Sequence, residues 1–396
     1  MKIGLVCPAS LPATQFGGIM FLCLDLAREF SKNNHDIKIY TTDMDFSNGS
    51  HKFNKDLPRI EKIDNFKIFR SHVWFSIKLF FVNPGIYKQM MNDEQDIIHT
   101  IGIRSFQSLI AILVAKKKKI PLIISDQGGL FTHPDFTNGG FITKLLYFFQ
   151  KPLINYIINN STKIIVANEY EKKIFSKFNA AEKCHIIKNG INLQKMDDGQ
   201  INFKEKHKIT QKYFLFLGRF NKVKGIDTLL ESINIIQHNK LMKNTKLVLM
   251  GVDFGFENEM EKIISDLKLN DKILIIKNPK REEVVSAYKQ CEFLILPSRW
   301  ELSPLTPLDG FAFKKTVIST TAHGIPYTIS NNENSLLVEP ENPTQLADAI
   351  LKLLNDDLLL EKLGNSGFEH VLNVANSKKM AENTLNLYQN LSYVDN

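Results

Sequence analysis

Short runs rich in Ile, Val, Leu and Phe alternate along this chain with longer stretches whose apolar residues recur at helical spacing. That alternation predicts parallel sheets in an α/β fold. In the first half the expected strands are 2–7, 36–41, 96–100, 121–125, 163–167 and 184–188. Residues 18–30 (Phe21, Leu24, Leu26, Phe30) and 105–115 carry helical patterns between them. A second series follows the polar, lysine-rich stretch 197–212. Its strands are expected at 213–217, 246–250, 272–276, 293–296, 316–319 and 335–338, with helices at 225–237, 257–267, 281–290 and 343–354. No short tandem repeat interrupts the series. Two doubly wound units joined near residue 200, with a cleft between them, is the architecture this pattern predicts.

Size agrees, since 396 residues exceed what one core comfortably organises. Apolar residues at 43% and charged residues at 23% are ordinary for a globular chain and argue against disorder. Cys7, Cys23, Cys184 and Cys291 are far apart and form no metal-type pair, which suits a reducing compartment. No apolar run reaches the roughly 18 residues that span a bilayer. The nearest, 73–82 and 141–149, are broken by Lys78 and Lys144, and the N-terminus reads as a first strand rather than a leader. A cytoplasmic protein is expected.

Charge is unevenly placed. Residues 1–200 hold 26 Lys and Arg against 18 Asp and Glu, whereas the remainder holds 24 of each, so the first half carries the whole excess of +8. Such asymmetry suits an anionic partner, and equally a lysine-solubilised surface. Nucleic acid is disfavoured, because neither a helix-turn-helix pattern nor an aromatic-interleaved motif is present. Residues 72–91 set Val73, Trp74, Phe75, Ile77, Leu79, Phe80 and Phe81 beside Lys78 and Lys88, the mixture of an anionic-membrane interface. Lys116 to Lys119, Lys144, Lys151 and Lys163 add charge where the only acids between 101 and 165 are Asp126 and Asp135. The plain alternative is that Trp74, Phe75 and Phe80 are core side chains.

Candidate chemistry lies in the loops after strands. The segment Pro297-Ser298-Arg299-Trp300-Glu301 follows an apolar run and leads to a helix with Asp309 in its first turn. A helix start offers free N–H groups and partial positive charge to a diphosphate, while two carboxylates suit a hydroxyl-rich group. A nucleotide sugar combines both. Alternatively, Thr306 and Asp309 form a capping box with Pro307 at the first helical position. Arg219 and Lys224 flank another strand-to-helix turn, a fork and a point charge for a diphosphate, although the P-loop spacing is absent. Gly17 and Gly18 precede the first helix without the dinucleotide-binding fingerprint, which argues against a dehydrogenase.

Taken in order, these landmarks resemble the retaining GT-B glycosyltransferases of family 4 (glycosyl transferases group 1). They are Gly17-Gly18, the strand with His99, Asn189-Gly190-Ile191-Asn192, Gly218-Arg219 with Lys224-Gly225, and Pro297-Ser298 with Glu301. His323-Gly324-Ile325-Pro326 and Asn334 to Val338 follow, so the resemblance spans nearly the whole chain. It implies two Rossmann-like domains facing across a cleft: 1–200 on the acceptor side, 201–376 holding the nucleotide sugar, and a last helix, 377–396, packing back on the first. It further implies that Arg219 and Lys224 grip the diphosphate in place of a metal, and that Glu301 bonds a donor-sugar hydroxyl. Asp309 would hold the ribose, with Leu305 and Thr306 in the same loop. Gly17 and Gly18 would meet the phosphate from across the cleft, and Asp126 and Gln127 would lie near the donor sugar. No cofactor is implied beyond the nucleotide sugar. The acceptor would be a glycan or lipid-linked hydroxyl, met at the inner face of a membrane.

Several positions depart from the family. Asp309 stands for a longer glutamate, Gln127 for a histidine, Pro304 for a glycine, and His323 and Tyr327 for glycine and glutamate. Three rivals compete. A metal-dependent GT-A enzyme would use Asp43-Met44-Asp45, which comes too early and reads as a solvated loop. An epimerase or hydrolase of the same fold would turn over nucleotide sugar without an acceptor. A non-catalytic scaffold would have no need of Arg219, Lys224 and Glu301 together.

Overall fold

The computed structural model describes residues 1–45, 52–77, 80–128, 130–134, 140–194 and 201–392. The chain divides into two compact units, Met1–Asn189 with Ser377–Asn396, and Gly190–Asn376.

The first unit is built on an eight-stranded sheet. Its spatial order is Cys184–Ile186, Lys163–Val166, Leu122–Ser125, Ile97–Ile101, Lys2–Val6, Asp36–Thr42, Phe66–Ser71 and Ile60–Ile63. Every pairing is parallel except that of the last strand, which runs antiparallel to Phe66–Ser71. The two strands at that end were not anticipated. Phe66–Ser71 reads as F-K-I-F-R-S, and the fully buried Arg70 breaks its apolar signature. Its guanidinium is instead consumed by Glu61 and by the carbonyls of Pro58 and Leu11. The order of the sheet reverses between Lys2–Val6 and Ile97–Ile101, the point where doubly wound sheets bind ligands.

The second unit holds a six-stranded parallel sheet in the order Ile273–Lys277, Thr245–Asp253, Lys212–Phe220, Leu294–Leu296, Val317–Thr320 and Ser335–Val338. Its switch point falls between Lys212–Phe220 and Leu294–Leu296. Both faces are covered: Phe214, Phe216, Leu247 and Leu249 point to one cluster, and Tyr213, Leu215, Val248 and Met250 to the other. That two-sided burial explains why these strands read as continuous apolar runs rather than alternating ones.

The expected join at 200 lies outside the described residues, and the units divide between Asn189 and Gly190. Ile191 bonds the carbonyl of Ala375 at 3.1 Å, which ties the start of the second unit to its end. Beyond that point the helix Ser377–Ser392 packs into the first core through Met380, Ala381, Leu385 and Tyr388. The Tyr388 hydroxyl meets His99 Nδ1 at 2.6 Å, and His99 Nε2 meets Ser125 Oγ at 2.7 Å. Burial holds His99 far down, to about 3, so it is a neutral structural bridge. Among the described residues no helix is long and apolar enough to cross a membrane. The run 141–149 belongs to the helix Phe141–Asn160.

Candidate functional site

At the switch point of the second sheet, two loops are locked together by backbone contact. The turn Lys222–Lys224 ends at Gly225, whose φ of +66° suits glycine and starts the helix Ile226–Ile236. A Cβ there would lie 2.1 Å from the Pro297 carbonyl oxygen, so only glycine lets the loops approach this closely. From opposite sides of this contact Lys224 Nζ and a Glu301 carboxylate oxygen form an ion pair, and Ser298 Oγ donates to the same oxygen at 3.0 Å. Both side chains keep some solvent exposure, 17% and 12%. Glu301 is fixed from behind by Gly324, which donates its N–H to the Glu301 carbonyl at 3.0 Å; a Cβ on Gly324 would sit 1.7 Å from the Leu302 carbonyl oxygen.

Arg299 is the residue that motif reading missed. Its guanidinium forks onto Asp227 at 2.7 and 2.9 Å, reaches the Lys222 carbonyl at 2.7 Å and Glu341 at 2.7 Å, and its N–H bonds the Val223 carbonyl at 2.8 Å. One side chain therefore clamps the Lys224 loop to the Glu301 loop. The only sequence signal was an arginine between two conspicuous neighbours.

Arg219 lies at the end of the strand Lys212–Phe220, exposed and stacked on Phe254 with 5.0 Å from guanidinium carbon to ring centre. It is placed on the same sheet edge as Lys224, with its charge directed to solvent. The helix Thr306–Ala312 begins one residue earlier than a capping box requires. Leu305 is the N-cap without a side-chain bond, Thr306 is itself helical, and Pro307 sits in the first turn. The capping-box alternative therefore fails, because Thr306 is already inside the helix it would have to cap. Asp309 stands near the buried Tyr288, whose pKa is raised first by burial and then by the Asp309 charge.

In the first unit the C-terminal strand edge gathers the other candidates. Gly17, at φ +104°, precedes the helix Gly18–Lys32, whose start has no side-chain cap and so offers its N–H groups. Gly102, at φ +95°, follows the neighbouring strand, and a Cβ on it would meet Ile19 at 2.9 Å, so it too shapes this turn. Asp126 is buried, its carboxylate accepting from the Leu130 N–H at 2.7 Å. Gln127 adopts a left-handed φ of +56° and pairs its amide reciprocally with Asn189 at 3.1 and 3.0 Å. Behind them lies Glu171, fully buried, accepting from the Ala167 N–H at 2.6 Å and from the Gln127 backbone.

Burial first, and then the Asp126 charge, push Glu171 up to about 8. A carboxyl raised in this way binds its proton more tightly folded than unfolded. Its favourable contribution is full below the ordinary value of 4.5 and fades as pH rises towards 8. Glu171→Gln is therefore expected to flatten the fall in melting temperature across that window. Identical pH profiles for variant and wild type would refute the assignment.

Asp43-Met44-Asp45 is not the solvated loop it was expected to be. Asp43 is completely buried and holds His72 and Arg59, and Asp45 is buried against Asn54. Among the described residues no group of three or more His, Cys, Asp or Glu is arranged to hold a metal ion. Trp74 and Phe75 are exposed, against the core alternative, whereas Phe80 is half-buried against Phe106; Ile77 is exposed, Val73 and Phe81 are buried, and Lys78 and Leu79 lie outside the described residues.

This pair of largely parallel sheets, with a basic and acidic switch point in the second, is matched by two family models. Residues 16–195 match Glycosyltransferase Family 4 and residues 197–370 match glycosyl transferases group 1. Together they take in the chain from 16 to 370, and it belongs to the group 1 glycosyltransferases of GT-B fold. An uncharacterized glycosyltransferase of Methanocaldococcus jannaschii, MJ1178, is 31% identical over 56% of this chain and 57% of its own length. A second from that organism, MJ1607, is 24% identical over 98% of both chains. Among solved structures, sucrose-phosphate synthase from Thermosynechococcus elongatus superposes with a TM-score of 0.78 at 17% identity over the whole of both chains. Anabaena HepE in complex with UDP-glucose gives 0.73 at 15%, over 98% of this chain and 99% of that one.

Proposed function

We propose that this chain moves a hexose-type sugar from a nucleoside diphosphate carrier to an acceptor hydroxyl, with retention of configuration and without a metal, in glycan or polysaccharide assembly. The observation that carries this reading is the Lys224–Glu301 pair at the switch point, with Arg219 on the same sheet edge. Lys224 and Arg219 neutralise the diphosphate and stabilise it as it departs. Glu301, held by Ser298 and by its pairing with Lys224, accepts a bond from a donor-sugar hydroxyl. Asp309 and the start of the Thr306–Ala312 helix, with Leu305 and Thr306, face the ribose and diphosphate. HepE, described in complex with UDP and with UDP-glucose, supports a nucleotide-sugar donor.

The test is a melting-temperature screen against UDP, GDP and their sugars, with and without EDTA. A ligand at 100 times its dissociation constant stabilises by about 2.7 kcal/mol. No shift with any nucleotide sinks the reading, and a shift or turnover abolished by EDTA removes its metal-free part.

The acceptor is read as lipid-linked, at an anionic membrane on the cytoplasmic side. Phe75 and Ile77 on one hairpin, and Phe148 and Phe149 on the helix Phe141–Asn160, are exposed by half to nearly three-quarters. Phe80 packs on Phe106 at 6.1 Å, and Gln150 is bonded by Arg104, so both elements flank the same end of the helix Phe106–Lys118. Co-sedimentation with anionic but not neutral vesicles, weakened by salt, is the expected result.

A further inference from the structure

The Asp43–His72 pair has no part in the donor chemistry, yet it is built like a working site. Asp43 follows the strand Asp36–Thr42 and His72 follows Phe66–Ser71, so both stand on the ligand-binding edge of the first sheet. The Asp43 carboxylate is completely buried. One oxygen takes His72 Nδ1 at 2.6 Å and Arg59 at 3.4 Å, and the other takes the Val73 N–H at 3.1 Å. Val73 packs with Ala9, Ala13, Met44 and Phe81 in a small cluster that also receives Phe16, so the pair is anchored beside the loop leading to Gly17. Thr42, which donates to the Pro8 carbonyl at 2.7 Å, ties the same strand end to that loop.

A carboxylate can only accept, so it holds a ring proton on Nδ1, and in the neutral ring Nε2 is left as an acceptor. The ring is 27% exposed. Two residues on, Trp74 is 71% exposed at the base of a hairpin fixed by its N–H to the Val82 carbonyl. An imidazole that accepts, two residues along the chain from an exposed flat aromatic face, suits a polyol ring: a hydroxyl would donate to Nε2 while C–H groups lie on the indole. A phosphate would need N–H donors here, and Arg59, among the described residues, is turned onto Asp43.

We propose that His72 and Trp74 form a subsite for a sugar ring of the acceptor, with Asp43 as the positioning residue that sets the tautomer. The proposal rests on the transferase reading and names the acceptor's chemistry at the first unit. Lipid would use the apolar hairpin but has no use for an imidazole oriented by a buried carboxylate.

The test is saturation-transfer NMR on the full chain with methyl glycosides of glucose, galactose, mannose and N-acetylglucosamine, with and without UDP. At least one glycoside is expected to bind the wild type and to lose about tenfold in affinity in H72A and in W74A, the size of one good hydrogen bond. H72Q, which restores an acceptor, recovers part of the loss. D43N offers a donor to Nδ1, moves the ring proton to Nε2 and weakens binding, visible as a changed His72 ring ¹⁵N shift. Should D43N fail to fold, the two surface variants carry the test.

Undiminished binding in H72A and W74A, even with a lowered melting temperature, assigns His72 a structural role only and overturns the subsite. So does a wild type that binds none of the glycosides while W74A loses vesicle binding, which gives the hairpin to lipid. A UDP melting shift on the same samples separates the two proposals. An intact shift without glycoside binding defeats the subsite alone, whereas no nucleotide shift defeats the reading beneath it.

Discussion

Replacing Lys224 by alanine is expected to slow sugar transfer by roughly 30- to 150-fold, the 2–3 kcal/mol of a charge-assisted bond to a departing diphosphate. Arg219→Ala is expected to match it. The two differ in what they leave behind. Arg219 is exposed and stacked on Phe254, so its loss removes a cation and little else. Lys224 is paired with Glu301, so its loss leaves a carboxylate uncompensated at the proposed diphosphate site. Nucleotide affinity should therefore fall further in Lys224→Ala than in Arg219→Ala. Adding Glu301→Gln to Lys224→Ala should restore part of that affinity without restoring turnover. Such non-additivity marks two groups acting as one unit. Wild-type turnover in both alanine variants would remove the donor-site assignment, and strict additivity in the double variant would remove the coupling between Lys224 and Glu301.

Arg299→Met is expected to cost about 2 kcal/mol of stability, chiefly through the bidentate bond to Asp227, whose partners are 20% and 17% exposed. The contact with Glu341 counts for little, since that carboxylate is 66% exposed and screened. For a unit of this size the melting temperature should drop by roughly 4–8 °C. Nucleotide affinity should fall as well, although Arg299 is turned onto protein partners, because the loops of Lys224 and Glu301 lose their tie. Methionine keeps the apolar stem, so packing loss is not what the experiment reads. An unchanged melting temperature would show that Gly225 against Pro297 suffices to hold the loops together.

Much of this was legible before any coordinates. Alternating apolar runs and helical spacers placed twelve of the fourteen sheet strands near their observed positions, because strands covered on both faces leave a dense apolar signature. The strand Phe66–Ser71 escaped because it carries a buried arginine, and Ile60–Ile63 because its antiparallel edge is half polar. The helix Phe141–Asn160 escaped because its apolar residues are not confined to one face, so it read as a short candidate for a membrane. Leu294–Leu296 and its neighbours were recognisable individually, but nothing in their composition gave the order in which they pair.

By itself the sequence determined the class of fold, the existence of a second α/β series, and which short segments carry charge at a strand end. These are local properties, written in spacing and in residues such as Gly17 and Gly225 that the backbone requires. Tertiary structure decided everything that depends on two segments meeting. It brought Lys224 to Glu301 across 77 positions and made Arg299 the clamp. It also converted Asp43 from an apparent loop acid into the buried partner of His72. A parallel sheet sets side by side strands that lie far apart in the chain, so the loops at one edge become neighbours through topology, and one-dimensional patterning holds no record of that adjacency.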